Sequence, residues 1–163
     1  MKHIYITLLL LAFASYLPAQ DYLDLKDKVS DLTFVNIDGD TVTIESLRGK
    51  VVYINFFATW CAPCLKELDV MQEEILDGKE DEDFYFIALG RGHKTKELQA
   101  FKNKRGYEFN IGLDTDKSLF SRFSEKGIPL NIVIDKDGEI IYKKTGYSSR
   151  SFKKLNRTIN WNL

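Results

Sequence analysis

Cysteine is nearly absent: the chain of 163 residues has two, at positions 61 and 64, and only two histidines. Structural zinc takes four Cys or His ligands, and beyond residue 19 the chain offers only Cys61, Cys64 and His93. Covalent haem attachment lacks its signature as well, because C-x-x-C must be followed by His and Leu65 stands there. No charge of either sign dominates, with 23 Lys and Arg against 24 Asp and Glu and a formal net charge of -1. That balance leaves no basic footprint for nucleic acid and no acidic tail. No apolar run reaches the roughly 18 to 20 residues that cross a bilayer. There is also no repeat, linker or low-complexity tract, and 44% hydrophobic with 29% charged residues is the balance of one globular domain with a sizeable core.

What is present begins at the N-terminus. "MKHIYITLLLLAFASYLPA" sets Lys2 before an apolar run from Ile4 to Leu17, followed by small residues, the pattern of a secretory signal peptide. The expected organisation is a signal over residues 1–19 and a single domain over 20–163, exported to the periplasm. No cysteine follows the apolar run, so lipid attachment has no acceptor there. Export permits disulfides, but a Cys61–Cys64 bridge closes too small a loop to constrain the unfolded chain much. A purely structural staple is therefore a weak explanation of the pair.

Local patterns predict the fold class. "LTFVNIDGDTVTI" places β-branched and aromatic residues on either side of Asp38-Gly39, a hairpin signature. "VVYINFFA" (51–58) and "DFYFIALG" (83–90) are near-continuous apolar runs of the kind found in strands buried on both faces. From Pro63 onward, Leu65, Leu68, Met71, Ile75 and Leu76 recur at helical spacing, and Pro63 is tolerated in a first turn. Residues 95–106 and 116–127 are further expected helices, each ending at Gly. "IPLNIVIDKDGEIIYKKTGY" predicts a second hairpin about Asp137-Gly138, and Phe152, Leu155 and Ile159 mark a closing helix. Parallel strand-helix units followed by an antiparallel hairpin describe an α/β domain with a mixed sheet covered on both faces.

The cysteines lie where the first apolar strand gives way to a helix. A sulfur at a helix N-terminus faces unpaired N–H groups and the positive end of the macrodipole, and helix starts and C-x-x-C motifs lower thiol pKa values. Cys61 is thus the expected nucleophile. Cys64, one turn on and drawn into the helix, suits a thiol that resolves a mixed disulfide. Glu67 falls on the same helix face as Cys64 and is either the base for its proton or a solvated carboxylate favoured by the dipole. His93 follows a strand end, a position either beside the cysteines or, as the usual outcome, in an exposed loop.

"INFFATWCAPCLKEL", "DGDTVTIESLRGKVVYINFFATWCAPC" and "KGIPLNIVIDKDGEIIYKKTGY" together resemble the TlpA/ResA family of thioredoxin-like, exported thiol-disulfide oxidoreductases, over nearly the whole chain from Val29. The resemblance implies a thioredoxin fold, three-layer α/β/α with a central mixed sheet and an added N-terminal β-hairpin. It implies Cys61 as attacking thiol, Cys64 as resolving thiol, Glu67 as the acidic helix residue, Trp60 as a shield of the motif, and Ile128 with a cis Pro129 as the substrate-docking loop. Two departures stand out. Asn55 replaces the buried aspartate of cytosolic thioredoxins, and Leu130-Asn131 follow the proline where threonine is common.

The implied activity is reduction of protein disulfides with no bound cofactor and no metal, by a monomer whose partners are protein thiols and disulfides. A membrane thiol-electron transporter as reductant and apocytochromes as substrates follow from the resemblance alone. One alternative is a peroxiredoxin-like peroxidase, although Ile54 and Ala58 occupy the proline and hydroxyl positions of its usual motif. The other is a non-enzymatic module that binds copper through Cys61, Cys64 and His93, or holds client proteins.

Overall fold

A computed structural model describes residues 22–76 and 83–163; the signal expected over residues 1–19 lies outside them. Among the described residues, seven strands and four α-helices follow in order: β1 (Thr33–Val35), β2 (Thr41–Thr43), β3 (Val51–Phe57), α1 (Ala62–Met71), β4 (Phe84–Arg91), α2 (Thr95–Arg105), β5 (Asn110–Asp114), α3 (Ser118–Ser121), β6 (Leu130–Ile134), β7 (Ile140–Thr145) and α4 (Ser149–Asn162). A 3-10 turn, Ile44–Leu47, precedes β3, and α1 continues as a π-helical turn over Gln72–Leu76.

The five-stranded sheet has the order β5-β4-β3-β6-β7. β4 runs parallel to β3 and β5 parallel to β4, while β6 and β7 join antiparallel. β3 is central and buried at every position, as its unbroken apolar run predicts. Because side chains alternate along a strand, its residues serve two cores. Val51, Tyr53 and Phe57 meet α1, α2 and α4 through Leu68, Leu98, Phe152 and Leu155. Val52, Ile54 and Phe56 meet β1, the 3-10 turn and α3 through Phe34, Ile44, Leu47 and Phe120.

β1 and β2 form a separate two-stranded sheet. Asn36 shapes its turn by accepting the Asp38 and Asp40 N–H groups at 3.0 and 2.8 Å, an Asx-type arrangement, and Gly39 supplies φ 97°. The hairpin docks on β5 through the Ile37 N–H to Ile111 carbonyl bond of 2.9 Å. Gly112 permits that approach, since a Cβ there would lie 3.2 Å from the Val35 carbonyl and 2.7 Å from Leu89.

Two expectations need correction. Helical structure over 116–127 shrinks to the single turn of α3: the Asp114 carboxylate caps its start by accepting the Leu119 and Phe120 N–H groups, and the Arg122 and Phe123 N–H groups close the turn by bonding three residues back to the Leu119 and Phe120 carbonyls, with Phe120 and Phe123 packed onto Phe56. The polar stretch that follows has nothing apolar to bury. Second, the strand β5 lies between α2 and α3, where the sequence reading passed from helix to helix. Its short "NIGLD" is interrupted by Gly and bears little alternation, and pairing with β4 is what makes it a strand.

Candidate active site

α1 begins directly after β3, and Cys61 is its N-cap residue with extended backbone. The Cys61 N–H bonds to the Ala58 carbonyl at 3.0 Å, and the Cys61 carbonyl accepts the Leu65 N–H at 3.0 Å, closing the first turn. No acidic residue occupies that turn, and Pro63 sits within it. The positive end of the helix therefore faces the sulfurs without a nearby carboxylate to cancel it. Cys61 and Cys64 form a disulfide; Cys61 keeps 5% exposure and Cys64 none. Trp60, 72% exposed, projects beside the pair. The Ile128–Pro129 bond is cis, and the Ile128 carbonyl oxygen lies 3.9 Å from Cys61 Sγ, so the structure brings the loop ahead of β6 to the disulfide. Ile128 is partly exposed and Pro129 buried.

Behind Cys64 the site is closed and polar. Glu67 is 1% exposed, which removes the solvated-carboxylate reading. The Asn55 amide donates to Glu67 Oε2 at 3.1 Å, and the Asn131 amide donates to both carboxyl oxygens at 3.0 and 3.1 Å. Asn131 Oδ1 in turn accepts from the Asn55 amide and from the Tyr53 hydroxyl, each at 2.7 Å. Asn55 and Asn131 stand directly opposite each other in the β3–β6 register, so their side chains reach the same side of the sheet. Burial pushes the Glu67 carboxyl up to about 7, against the opposing pull of the Asn131 and Asn55 amides. A carboxyl poised there exchanges its proton near neutral pH. Burial and the Glu67 charge also push the Tyr142 phenol up to about 12, keeping it protonated, with its hydroxyl donating to the Ser151 carbonyl at 3.1 Å.

His93 departs from the exposed loop position expected of it. It is 7% exposed, its Nε2 accepts the Thr59 N–H at 3.1 Å, and Nδ1 lies 3.6 Å from Glu97 Oε2. Accepting at Nε2 leaves the proton on Nδ1, facing the carboxylate. His93 thus braces the loop two residues before Cys61. Among the described residues, no group of three or more His, Cys, Asp or Glu side chains is placed to hold a metal ion.

The carboxamides around Glu67 were missed as site residues from sequence. The available signal was a lone polar residue inside an apolar strand run, Asn55 in "VVYINFF" and Asn131 in "LNIVI", since buried polar groups require partners.

A disulfide at a helix start, beside a cis-proline loop and in front of a buried carboxyl, on this mixed sheet, defines a thioredoxin-like thiol-disulfide oxidoreductase. The Redoxin family profile matches residues 24–159, and the chain belongs to that family, on its TlpA/ResA-like side. It is 26% identical over 138 residues to thiol-disulfide oxidoreductase ResA of Bacillus thuringiensis (strain Al Hakam), covering 85% of this chain and 79% of that protein. Among solved structures, a candidate protein disulfide isomerase from Bacteroides thetaiotaomicron superposes with a TM-score of 0.81 at 33% identity, covering 86% of this chain and 91% of the other. StoA from Bacillus subtilis shares the fold, with a TM-score of 0.66 at 21% identity over 80% of this chain and 98% of its own.

Proposed function

We propose that the protein is an exported, periplasmic reductase of protein disulfides, with a signal over residues 1–19 and a single thioredoxin-like domain over 20–163. In the reduced enzyme the Cys61 thiolate attacks one sulfur of a target disulfide. The target S–S bond breaks, a mixed disulfide forms and the other target sulfur leaves as a thiolate. The Glu67 carboxylate then takes the Cys64 proton, and the Cys64 thiolate attacks Cys61 Sγ. The internal disulfide forms and the second target thiolate leaves, to be protonated from solvent. Two electrons have passed to the target, and a dithiol reductant restores them. Trp60, Ile128 and Pro129 form the docking edge for the target segment.

The observation that carries this reading is the asymmetry of the two sulfurs. Cys61 is the one with residual exposure and the Ile128 carbonyl beside it. Cys64 is sealed and shares its helix face with the buried Glu67 one turn on. The reducing direction, the periplasmic location, and the roles of a membrane thiol-electron transporter as reductant and of apocytochromes as targets rest on the family resemblance. No helix among the described residues is long and apolar enough to cross a membrane.

Equilibration with glutathione redox buffers, read by thiol alkylation, tests the direction. A couple more reducing than glutathione supports the reductase, and a more oxidising one overturns it. Cys64→Ser is expected to accumulate a covalent complex with a disulfide substrate through Cys61. Peroxide consumption without insulin reduction would favour the peroxidase alternative instead.

A further inference from the structure

Charge is unevenly distributed along this nearly neutral chain. Six of its 23 Lys and Arg, and none of its 24 Asp and Glu, fall in residues 140–163. These residues form β7 and α4, and between the two elements runs a groove of about 530 Å³ lined by Ile141, Tyr142, Lys144, Arg150, Lys154 and Arg157 among others. Arg150, Lys154 and Arg157 recur at spacings of four and three, so they share one face of α4. All three are exposed, as is Lys144, and none of the four has a carboxylate partner among the described residues. Lys143, by contrast, is tied to the Leu23 carbonyl and to Asp24.

One edge of the groove is in register with the strand that follows the docking loop. The Gly146 N–H, just past the end of β7, donates to the Pro129 carbonyl at 2.7 Å. In the β6–β7 register, Thr145 pairs with Leu130 and Lys144 with Asn131, so Lys144 lies one strand away from the docking loop. The first turn of α4 follows three residues after Gly146. From Arg150 to Arg157 the helix rises about 10 Å, the reach of about three residues of extended chain.

We infer that the docking edge at Ile128-Pro129 continues into the β7–α4 groove, and that the groove selects protein substrates carrying Asp or Glu in the extended segment next to their disulfide. Exposed cations with no carboxylate partner among the described residues give complementarity to an acidic segment without a competing internal anion; Arg157 alone has an internal bond, from Nε to the Lys153 carbonyl at 3.3 Å. Such complementarity acts chiefly on encounter rate and partner choice. The half-buried Ile141 and the buried Tyr142 contribute to the groove's lining, and the concave shape suits a chain rather than a flat membrane. This inference rests on the disulfide-exchange reading of Cys61 and Cys64, and it assigns the substrate class of that site.

Two disulfide-linked peptides that differ only in Glu-rich or Lys-rich flanks, together with neutral hydroxyethyl disulfide, test it on the full mature protein and on the double variant Arg150→Glu/Lys154→Glu. The unmodified protein should favour the Glu-rich peptide at least tenfold in kcat/KM, with the preference shrinking as salt is raised. The double variant should lose or reverse that preference while reducing hydroxyethyl disulfide within twofold of the parent rate. Equal kcat/KM for the two peptides, or a preference that the charge reversal leaves intact, overturns the inference. So does a preference unchanged in the variant accompanied by loss of binding to anionic vesicles, which would assign the cations to a lipid surface. Failure of the parent to reduce hydroxyethyl disulfide would instead sink the exchange reading itself.

Discussion

The two faces of the β3–β6 strand pair share one backbone ladder and differ in almost everything else. On the face toward β1 and α3, Val52, Ile54, Phe56, Leu130, Ile132 and Ile134 are all buried and apolar, and Phe56 meets the Phe120 and Phe123 rings at centroid distances of 5.5 and 5.8 Å. Toward α1 and α4 the same strands contribute apolar Val51, Phe57 and Val133 as well, but set among them Tyr53, Asn55 and Asn131, linked to each other and to Glu67 by hydrogen bonds. One face is organised for burial of apolar area, worth about 1.5 to 3 kcal/mol per large side chain. The other gives up part of that gain, since a buried hydrogen bond nets only about 1 kcal/mol, and holds a titrating carboxyl next to the disulfide. The fold thus separates stability from chemistry by a displacement of one residue along a strand.

The sharpest break of that comparison is on the chemical face. Cys61→Ser should abolish disulfide reduction while leaving the thermal unfolding of the protein close to that of its reduced form, as a turnover assay and a calorimetric scan would show. On the apolar face the expectation reverses. Phe56→Ala should cost about 3 to 5 kcal/mol of stability and leave the pH profile of exchange in place; denaturant titration together with that profile checks both halves.

Glu67 couples the two. Its folded carboxyl titrates at about 7 against an ordinary value of 4.5, so the folded protein holds this proton more tightly than the unfolded chain. Stability from that proton is fully present below about pH 4.5 and is lost as pH rises toward 7. The full span is worth ~3 kcal/mol. Glu67→Gln should flatten this dependence in urea titrations of the oxidised protein between pH 4 and 8, and slow resolution of the mixed disulfide; an unaltered slope would detach Glu67 from the titration. The smallest effect belongs to Asn131→Ala. Removing donors to the carboxylate disfavours its charged form, so the exchange midpoint should climb by roughly one pH unit in the Glu67 parent and stay put in Glu67→Gln.

Much of this was legible in advance. The apolar runs of β3 and β4, the hairpin turns at Asp38-Gly39 and Asp137-Gly138 and the helical period of α4 are local signals, and each element formed where its signal lay. α3 and β5 escape a linear reading because their states depend on partners distant in sequence: Phe56, onto which Phe120 and Phe123 pack, in one case, the β4 ladder in the other. The same division runs through the site. Cys61 and Cys64 declare themselves by spacing and by their place at a strand-helix junction, which a linear reading recovers.

By itself the sequence determined the α/β fold class, the Cys61-Cys64 pair at a strand-helix junction, and the position of Glu67 one turn beyond Cys64, because each follows from periodicities of two and 3.6 residues and from turn chemistry. Tertiary structure alone decided that Glu67 is buried rather than solvated, that Asn131 reaches it across 64 residues of chain, that His93 braces the Thr59 backbone, and that Arg150, Lys154 and Arg157 of α4 line a groove with β7. Each of these is a matter of strand register and of which faces meet, and desolvation, which sets the Glu67 proton near neutrality, exists only once the sheet and helix have closed around it.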